Sequence, residues 1–474
     1  MKNIPHKTWI IPTLFLAFLL FNSSYVFADE TGPAAPMFDS SDAIDTPPWE
    51  HFNDPVLEQL IKEGLKDNPG VNAAKERINL ARAGAKAALA PLLPSISAEG
   101  MYGLNSYDTK LTGISIPTIP GMTTSTNDIN YTQTFTASLK AQYMVDITGR
   151  YYTQREAALK DAEAQIEDAR SAAVVLATEI MQAYFDVVSA RSRINLINDQ
   201  IENNEKQLNL VIEQFKRGLA TALDILQQKQ QLYGKQAQLP QAEFLYNTSK
   251  RQLATLVGLD SMNDLPKIPD VIPEPGKAPE NISLEQLENL RPDLRAARNR
   301  ISANEKRTSS AKRALAPSLI LNGQYGYKVS KVSDTNHGDT WSAGAVLTVP
   351  IFMGEANHAA LDQARATSRS AELAYEDSRR KAITQVENSL ETEETQKAYL
   401  QALEKQYDVS KQTVIESRKR YIGGELTYLN VLSAISALQI NELSLIQARR
   451  DLLSARIKLL SAIGGTWTEK LIKE

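Results

Sequence analysis

Two copies of one pattern lie in this chain, and that duplication limits its fold more than any single motif does. Residues 68–104 align without a gap on 291–327 at an offset of 223, with 12 of 37 positions identical. The matches include Pro69 with Pro292, Arg77-Ile78 with Arg300-Ile301, Pro94-Ser95 with Pro317-Ser318, and Tyr102-Gly103 with Tyr325-Gly326. Paired prolines and a shared Gly-x-Tyr-Gly at one offset mark a repeat. The halves are therefore expected to occupy equivalent positions, each ordered as short helix, alternating strand, second strand and very long helical hairpin.

The hairpins follow from what is missing. Residues 151–217 and 355–422 contain neither Gly nor Pro, the two strongest helix breakers. At 1.5 Å per residue each run makes a helix of roughly 100 Å, several domain diameters long. A Gly-bearing turn and a return run follow each, over 219–257 and 425–463, and Gly234 and Pro240 predict a kink in the first return. With 23% charged and only 7% aromatic residues, the composition suits long helices better than one large globular core.

Between short and long helices the apolar period changes from 3.6 to 2. Ile96, Ala98, Tyr102 and Leu104 alternate with Ser97, Glu99 and Asn105, while Phe135, Ala137, Leu139, Ala141, Tyr143 and Val145 alternate with Thr136, Ser138, Lys140 and Gln142. Leu319, Leu321, Tyr325 and Tyr327 repeat this in the second half, followed by Trp341, Ala343, Ala345, Leu347 and Val349. Runs of about ten residues suffice for tilted strands to cross a bilayer. The same alternation also describes a soluble sheet with one wet face. Four strands cannot close a membrane barrel, and an open edge in lipid is prohibitively costly, so a membrane role requires several chains to pool strands.

Lys2 and Lys7, an apolar run over 9–21 and Val26-Phe27-Ala28 predict a secretory signal cut between Ala28 and Asp29. The alternative, an uncleaved anchor, would use an apolar core short for a span. The later chain has no uninterrupted apolar run long enough for a helical span; the richest, 172–190, is broken by Glu179 and Asp186. With no cysteine in 474 residues, disulfides, thiolate metal sites and a lipidated N-terminal Cys are excluded. The net charge of −4 gives no support to nucleic-acid binding. The expected organisation is a signal (1–28), a Pro-rich extended arm (29–53), a first repeat (54–257), a Pro-rich linker (258–283), a second repeat (284–465) and a tail (466–474).

Taken in order, several short motifs resemble the TolC-like outer-membrane efflux family of Gram-negative bacteria, and most closely its multidrug subgroup. They are Trp49 with Phe52-Asn53-Asp54-Pro55, Asn68-Pro69, Leu93-Pro94-Ser95, and Val145-Asp146-Ile147-Thr148-Gly149-Arg150. Val349-Pro350-Ile351-Phe352, Arg420-Tyr421 with Gly424, and Ala462-Ile463-Gly464-Gly465-Thr466-Trp467 complete the set, which spans about residues 49–467. The resemblance implies an α+β membrane protein acting as a homotrimer. Its four strands per protomer would pool into a 12-stranded barrel, continued by a periplasmic barrel of twelve helices. Apolar strand faces would then meet lipid, with Tyr102, Phe135, Ala137, Tyr143, Tyr325, Tyr327 and Trp341 among them, and residues 109–130 and 330–339 would be extracellular loops.

The same resemblance assigns gating and adaptor docking to the two hairpin turns: Arg217, Gly218, Leu219, Thr221 and Asp224, and Arg420, Tyr421, Gly423, Gly424, Glu425, Leu426 and Thr427. Where relatives carry an acidic gate residue this chain has Leu426, with Glu425 the nearest acid. From the residues alone, the glycines end helices and the basic residues answer the helix dipole. The implied partners are a periplasmic adaptor, an inner-membrane transporter of the RND or ABC type, and outer-membrane lipid. The implied function is a passive exit duct of a tripartite system for drugs or other toxic small molecules. A type I protein secretion duct would need the same cylinder, and an exported coiled-coil scaffold or adhesin would use the strands as a soluble sheet.

Catalysis has little support. His51, His337 and His358 are expected on the arm, a loop and a helix start, with no spacing that makes them joint metal ligands. The chain lacks a phosphate-binding Gly-Lys loop and a Gly-x-Ser-x-Gly elbow. Glu393-Glu394 reads as part of a solvated face. No enzyme activity and no cofactor are expected.

Overall fold

A computed structural model describes residues 47–108, 129–273, 284–331 and 335–470. The expected signal with its Ala28/Asp29 cleavage site, the arm up to residue 46, residues 109–128, linker residues 274–283 and tail residues 471–474 lie outside the described residues. The first repeat runs α1 (Pro55–Asp67), α2 (Pro69–Ala87), β1 (Ser95–Asp108), β2 (Ile129–Val145), α3 (Arg150–Lys216), α4 (Ala222–Gln236) and α5 (Leu239–Val257). The second runs α6 (Leu284–Leu290), α7 (Pro292–Arg313), β3 (Ser318–Lys331), β4 (Thr335–Thr348), α8 (Ala356–Ile422) and α9 (Tyr428–Ile463).

The repeat is visible in the boundaries themselves. β1 and β3 begin and end 223 residues apart, and both ends of α3 and α8 differ by 206. Pro69 and Pro292 each sit in the first turn of a helix, where a missing N–H costs nothing. Asp54 caps α1 by accepting from the backbone N–H of Val56 at 2.9 Å. The expected kink is a break: α4 stops at Gln236, and α5 restarts with Pro240 in its first turn. The return helices begin a few residues later than expected, because Thr221 and Thr427 are their N-caps.

The strands form one antiparallel sheet in the order β1-β2-β3-β4. Register puts the expected apolar set on one face: Tyr102 opposes Phe135, Leu139 opposes Tyr325, and Tyr325 opposes Trp341. At 14 to 17 residues the strands are longer than the expected ten. The supposed loop at 330–339 is mostly strand, since β3 reaches Lys331 and β4 starts at Thr335; His337 therefore lies on β4, not on a loop.

Over residues 134–140 of β2, burial runs opposite to that of a soluble sheet. Phe135, Ala137 and Leu139 are exposed, while Thr134, Thr136 and Lys140 are half-buried and Ser138 is buried. The polar face is crowded enough that a Cβ on Gly326 would come within 2.6 Å of both the Ala137 carbonyl oxygen and the Ser138 Cβ. A lysine-glutamate pair, Lys140 with Glu99, spans that face.

The main core lies around the middle of α3. Leu57, Leu60 and Ile61 of α1, Ile180, Tyr184 and Phe185 of α3, Leu253 of α5 and Leu453 and Ile457 of α9 meet there. The apolar richness of α3 that passes for a membrane span by composition is thus largely core, with 61% of that window buried. The first and last described segments meet on it: Trp49 and Trp467 stack edge to face at 4.9 Å. The described part of the linker wraps α3, with Ile268 and Ile272 against the core and Ser192 Oγ donating to the Asp270 carbonyl at 2.7 Å.

Helix α7 crosses from the second repeat onto the first through charge pairs. Arg295 meets Glu167 at 2.9 Å, Lys306 meets Glu156 at 2.9 Å, and Arg300 and Arg307 pair with Asp168 and Asp161. Burial raises the Glu167 carboxyl above its usual range, and Arg295 and Arg170 only partly offset it.

Candidate functional site

Both hairpin turns close with the same hydrogen bonds. Gly218 N–H donates to the Phe215 carbonyl and Leu219 N–H to that of Gln214, each at 2.9 Å; Gly424 donates to Tyr421 at 3.0 Å and Glu425 to Arg420 at 2.9 Å. This is the Schellman arrangement, which needs a left-handed residue. Gly218 and Gly424 supply it with φ of +75° and +76°. Gly423 stands at φ −74° in ordinary helical conformation, so its glycine has no such conformational cause.

The aligned threonines do different work. Thr221 and Asp224 form a reciprocal capping box, with Thr221 N–H donating to Asp224 Oδ2 at 2.7 Å and Asp224 N–H to Thr221 Oγ1 at 3.2 Å. Thr427 accepts from the Asn430 side chain at 3.2 Å instead. Arg420 pairs with Glu416 one turn back at 2.9 Å. Arg217 caps α3 through its backbone, and Leu219 and Glu425 point outward. Leu426 is half-buried.

The structure brings the two turns together. Tyr421 and Tyr428 lie with ring centroids 5.4 Å apart, and Tyr421, Ala220 and Ile225 pack on a small core of Val211, Val414, Tyr428, Val431 and Ile435. Burial, and then the Asp224 carboxylate, raise the Tyr421 phenol above its usual range. Around this core Leu219, Leu223, Leu226, Ile422 and Leu429 stay exposed, an apolar surface at a helix-hairpin end.

Behind the tip runs a buried polar seam that motif reading missed. Tyr428 OH donates to Gln228 Oε1 at 2.7 Å, Gln228 Nε2 to the Asn204 carbonyl at 3.0 Å, and Asn204 Nδ2 to the Gln200 carbonyl at 2.7 Å. Gln200 Nε2 then reaches Glu442 Oε2 at 2.7 Å on α9. Burial pushes the pKa of nearby Lys235 down, with Glu442 partly opposing. The sequence signal was present: Ile197, Gln200, Asn204 and Val211 follow the 3-4-7 spacing of an apolar stripe, with polar residues where apolar ones belong.

Glu393 also departs from its reading as a solvated residue. It is buried and takes two hydrogen bonds from Arg456 of α9, at 2.5 and 2.8 Å, because α9 covers that turn of α8; Glu394 next to it is exposed. Among the described residues no three His, Cys, Asp or Glu side chains are grouped to hold a metal ion.

Similarity to known proteins agrees with this geometry. The family model described as "Outer membrane efflux protein" matches residues 60–259 and 283–465. The pyoverdine export outer membrane protein OpmQ of Pseudomonas aeruginosa is 28% identical over 430 residues, 88% of this chain and 87% of its own. Outer membrane protein OprJ of the same species is 28% identical over 458 residues, 92% of each chain. A crystal structure of a membrane protein from Pseudomonas aeruginosa superposes with a TM-score of 0.78 at 27% identity, over 93% of this chain and 98% of that one.

Proposed function

The chain belongs to the outer membrane efflux protein family, which places it in the Gram-negative outer membrane as an efflux exit duct, and from that membership we propose that it acts as a homotrimer. Three four-stranded sheets pool into a 12-stranded barrel, and the hairpins of three copies line a periplasmic tunnel. The observation that carries this reading is the middle of β2, where apolar Phe135, Ala137 and Leu139 are exposed while Thr134, Thr136, Ser138 and Lys140 are the covered set, crowded against Gly326. In water that arrangement wastes its apolar area; in a barrel it puts Tyr102, Phe135, Ala137, Tyr143, Tyr325, Tyr327 and Trp341 toward lipid. β1 and β4 are free edges of the described sheet, and pairing β4 of one copy with β1 of the next removes both.

The joined hairpin turns then form the periplasmic tip. Their exposed leucines and Ile422 offer an adaptor an apolar surface flanked by Arg217, Arg420 and Glu425. A passive duct needs its energy from an inner-membrane transporter reached through that adaptor. The naming of OpmQ for pyoverdine export supports small molecules as cargo over polypeptides.

Native mass spectrometry of detergent-extracted outer membranes tests the assembly. A trimer is expected; a monomer in the soluble periplasmic fraction would sink the duct and favour a soluble scaffold.

A further inference from the structure

The polar face of the sheet carries an unbalanced charge near the end of β3, a point that membership of an efflux family does not address. Register fixes which side chains share that face. Met101, Thr136, Lys328 and Gly338 lie at one level; Glu99, Ser138, Gly326 and Thr340 at the level below it; and Ser97, Lys140, Gln324 and Ser342 at the next. Among the described strand residues, the other charged side chains, such as Lys331 and Asp339, register with Gln133 and Tyr327 on the opposite face.

Three charges remain on the polar face: Glu99, Lys140 and Lys328. Glu99 and Lys140 neutralise each other as an ion pair. Lys328 is exposed, and among the described residues it has no ion-pair partner. The rest of the face is hydroxyl, amide, glycine and a few apolar groups, none of which offsets a cation. Among the described residues, each chain thus contributes one uncompensated positive charge to this face, although its overall formal charge is −4.

We infer that Lys328 makes the barrel lumen favour anionic solutes, small organic molecules bearing carboxylate, phosphate or sulfonate groups, over cations of the same size. The inference rests on the pooled-barrel reading, in which three copies set three Lys328 ammonium groups at one height. Low-dielectric walls focus such a field into the water they enclose. A Debye length of about 8 Å at physiological ionic strength lets the ring reach well into the lumen.

The absence of native cysteine makes the test clean, since Thr136→Cys, directly opposite Lys328, creates the sole thiol. Intact cells are treated from outside with an anionic sulfonatoethyl or a cationic trimethylammonioethyl methanethiosulfonate, and modification rates are compared. In the Lys328→Gln background each reagent's rate is expected to shift about fivefold in opposite directions, the scale of one unit charge a few ångströms away in water, so the anion-to-cation rate ratio falls about 25-fold. Lys331→Gln, the same charge change on the other face, is expected to leave the ratio unchanged.

An unchanged ratio in Lys328→Gln overturns the inference, and so does an equal fall in Lys331→Gln, which would reflect total charge, not placement. A thiol at position 136 that reacts with neither reagent in a trimer seen by native mass spectrometry overturns the face assignment and the inference with it. Absence of the trimer instead removes the barrel on which the inference stands.

Discussion

Helices α3 and α8 are the same length, 67 residues, and occupy the same place in the two repeats, yet α3 buries 25 of its residues and α8 only six. Local sequence rules do not separate them, because neither contains a breaker. Neighbours do: α3 touches α1, α2, α4, α5, α7 and α9, whereas α8 rests chiefly on α7 and α9. The asymmetry arises because α7, while packing on α8, also pairs its arginines with the acids of α3, where α1, α2 and α5 gather as well. Duplication therefore made two equal backbones but one core. Helix α8 is an edge, with Leu373, Val409, Ile415 and Ile422 exposed along its length. A helix of roughly 100 Å left this bare has its natural cover in further copies of the chain.

The largest expected effect comes from equivalent positions on the two helices. Phe185, 2% exposed and 5.0 Å from the Phe52 ring, aligns with exposed Glu391 at the 206-residue offset. Phe185→Ala should cost about 4 kcal/mol in the denaturant unfolding of the extracted protein. Glu391→Ala should stay within about 0.5 kcal/mol. Similar costs at both sites would mean that the edge helix is as constrained as the core helix, and the contrast would fail.

A second pair sharpens the contrast at one of the few places where α8 is buried. Buried Val187 of α3 aligns with Glu393 of α8, so the same helix position holds an apolar contact in one repeat and an ion pair with Arg456 in the other. Arg456→Met leaves a buried carboxylate without its partner and should cost about 3 kcal/mol. Adding Glu393→Val should restore most of that loss in the same unfolding measurement. If the double variant is as unstable as the single, the pair is not a substitute for the apolar contact of α3.

The tips invert the comparison, because there the repeats are alike. Gly218→Val and Gly424→Val each force a branched residue into left-handed backbone, a cost of about 1 to 2 kcal/mol per site. Gly423→Ala, in helical backbone, should cost nothing measurable. Limited proteolysis at the turns reads this directly: faster cleavage in both valine variants but not in Gly423→Ala is expected. Faster cleavage at only one valine site would show that the turns are not equivalent.

Much of this arrangement was legible without coordinates, and the physical reason differs by element. Strand faces could be read because a period of two assigns each side chain to a side, and one register slip would reverse every residue from Phe135 to Val145. Helix ends could be read because Gly218, Gly424 and Pro69 act locally. What stayed hidden depended on which helix lies against which. Glu393 looks like any surface acid until Arg456 of α9 covers it, and Gln228 like any surface amide until Tyr428 and Asn204 close around it. The supposed loop at 330–339 failed for a related reason: Asn336, His337 and Gly338 are weak strand formers alone, but pairing with Ser330, Val329 and Lys328 holds them in β4.

The smallest expected effect returns to Arg456 and follows pH. Burial, and then the Arg456 guanidinium, lower the pKa of His51 from 6.5, with Glu50 partly opposing. A lowered folded-state value means that the unfolded chain takes up the proton first. Above pH 6.5 the imidazole is neutral in both states and stability is full; as pH falls below that, stability is lost until the folded form is protonated too. His51→Gln should therefore lose less stability between pH 7 and pH 5 than the parent chain. Glu167 and Asp168, whose carboxyls burial raises, act with the opposite sign over the acid range and are common to both proteins, so the difference between the two curves isolates the histidine. Parallel curves would mean that neither burial nor Arg456 holds the His51 imidazole below its ordinary value in the folded chain.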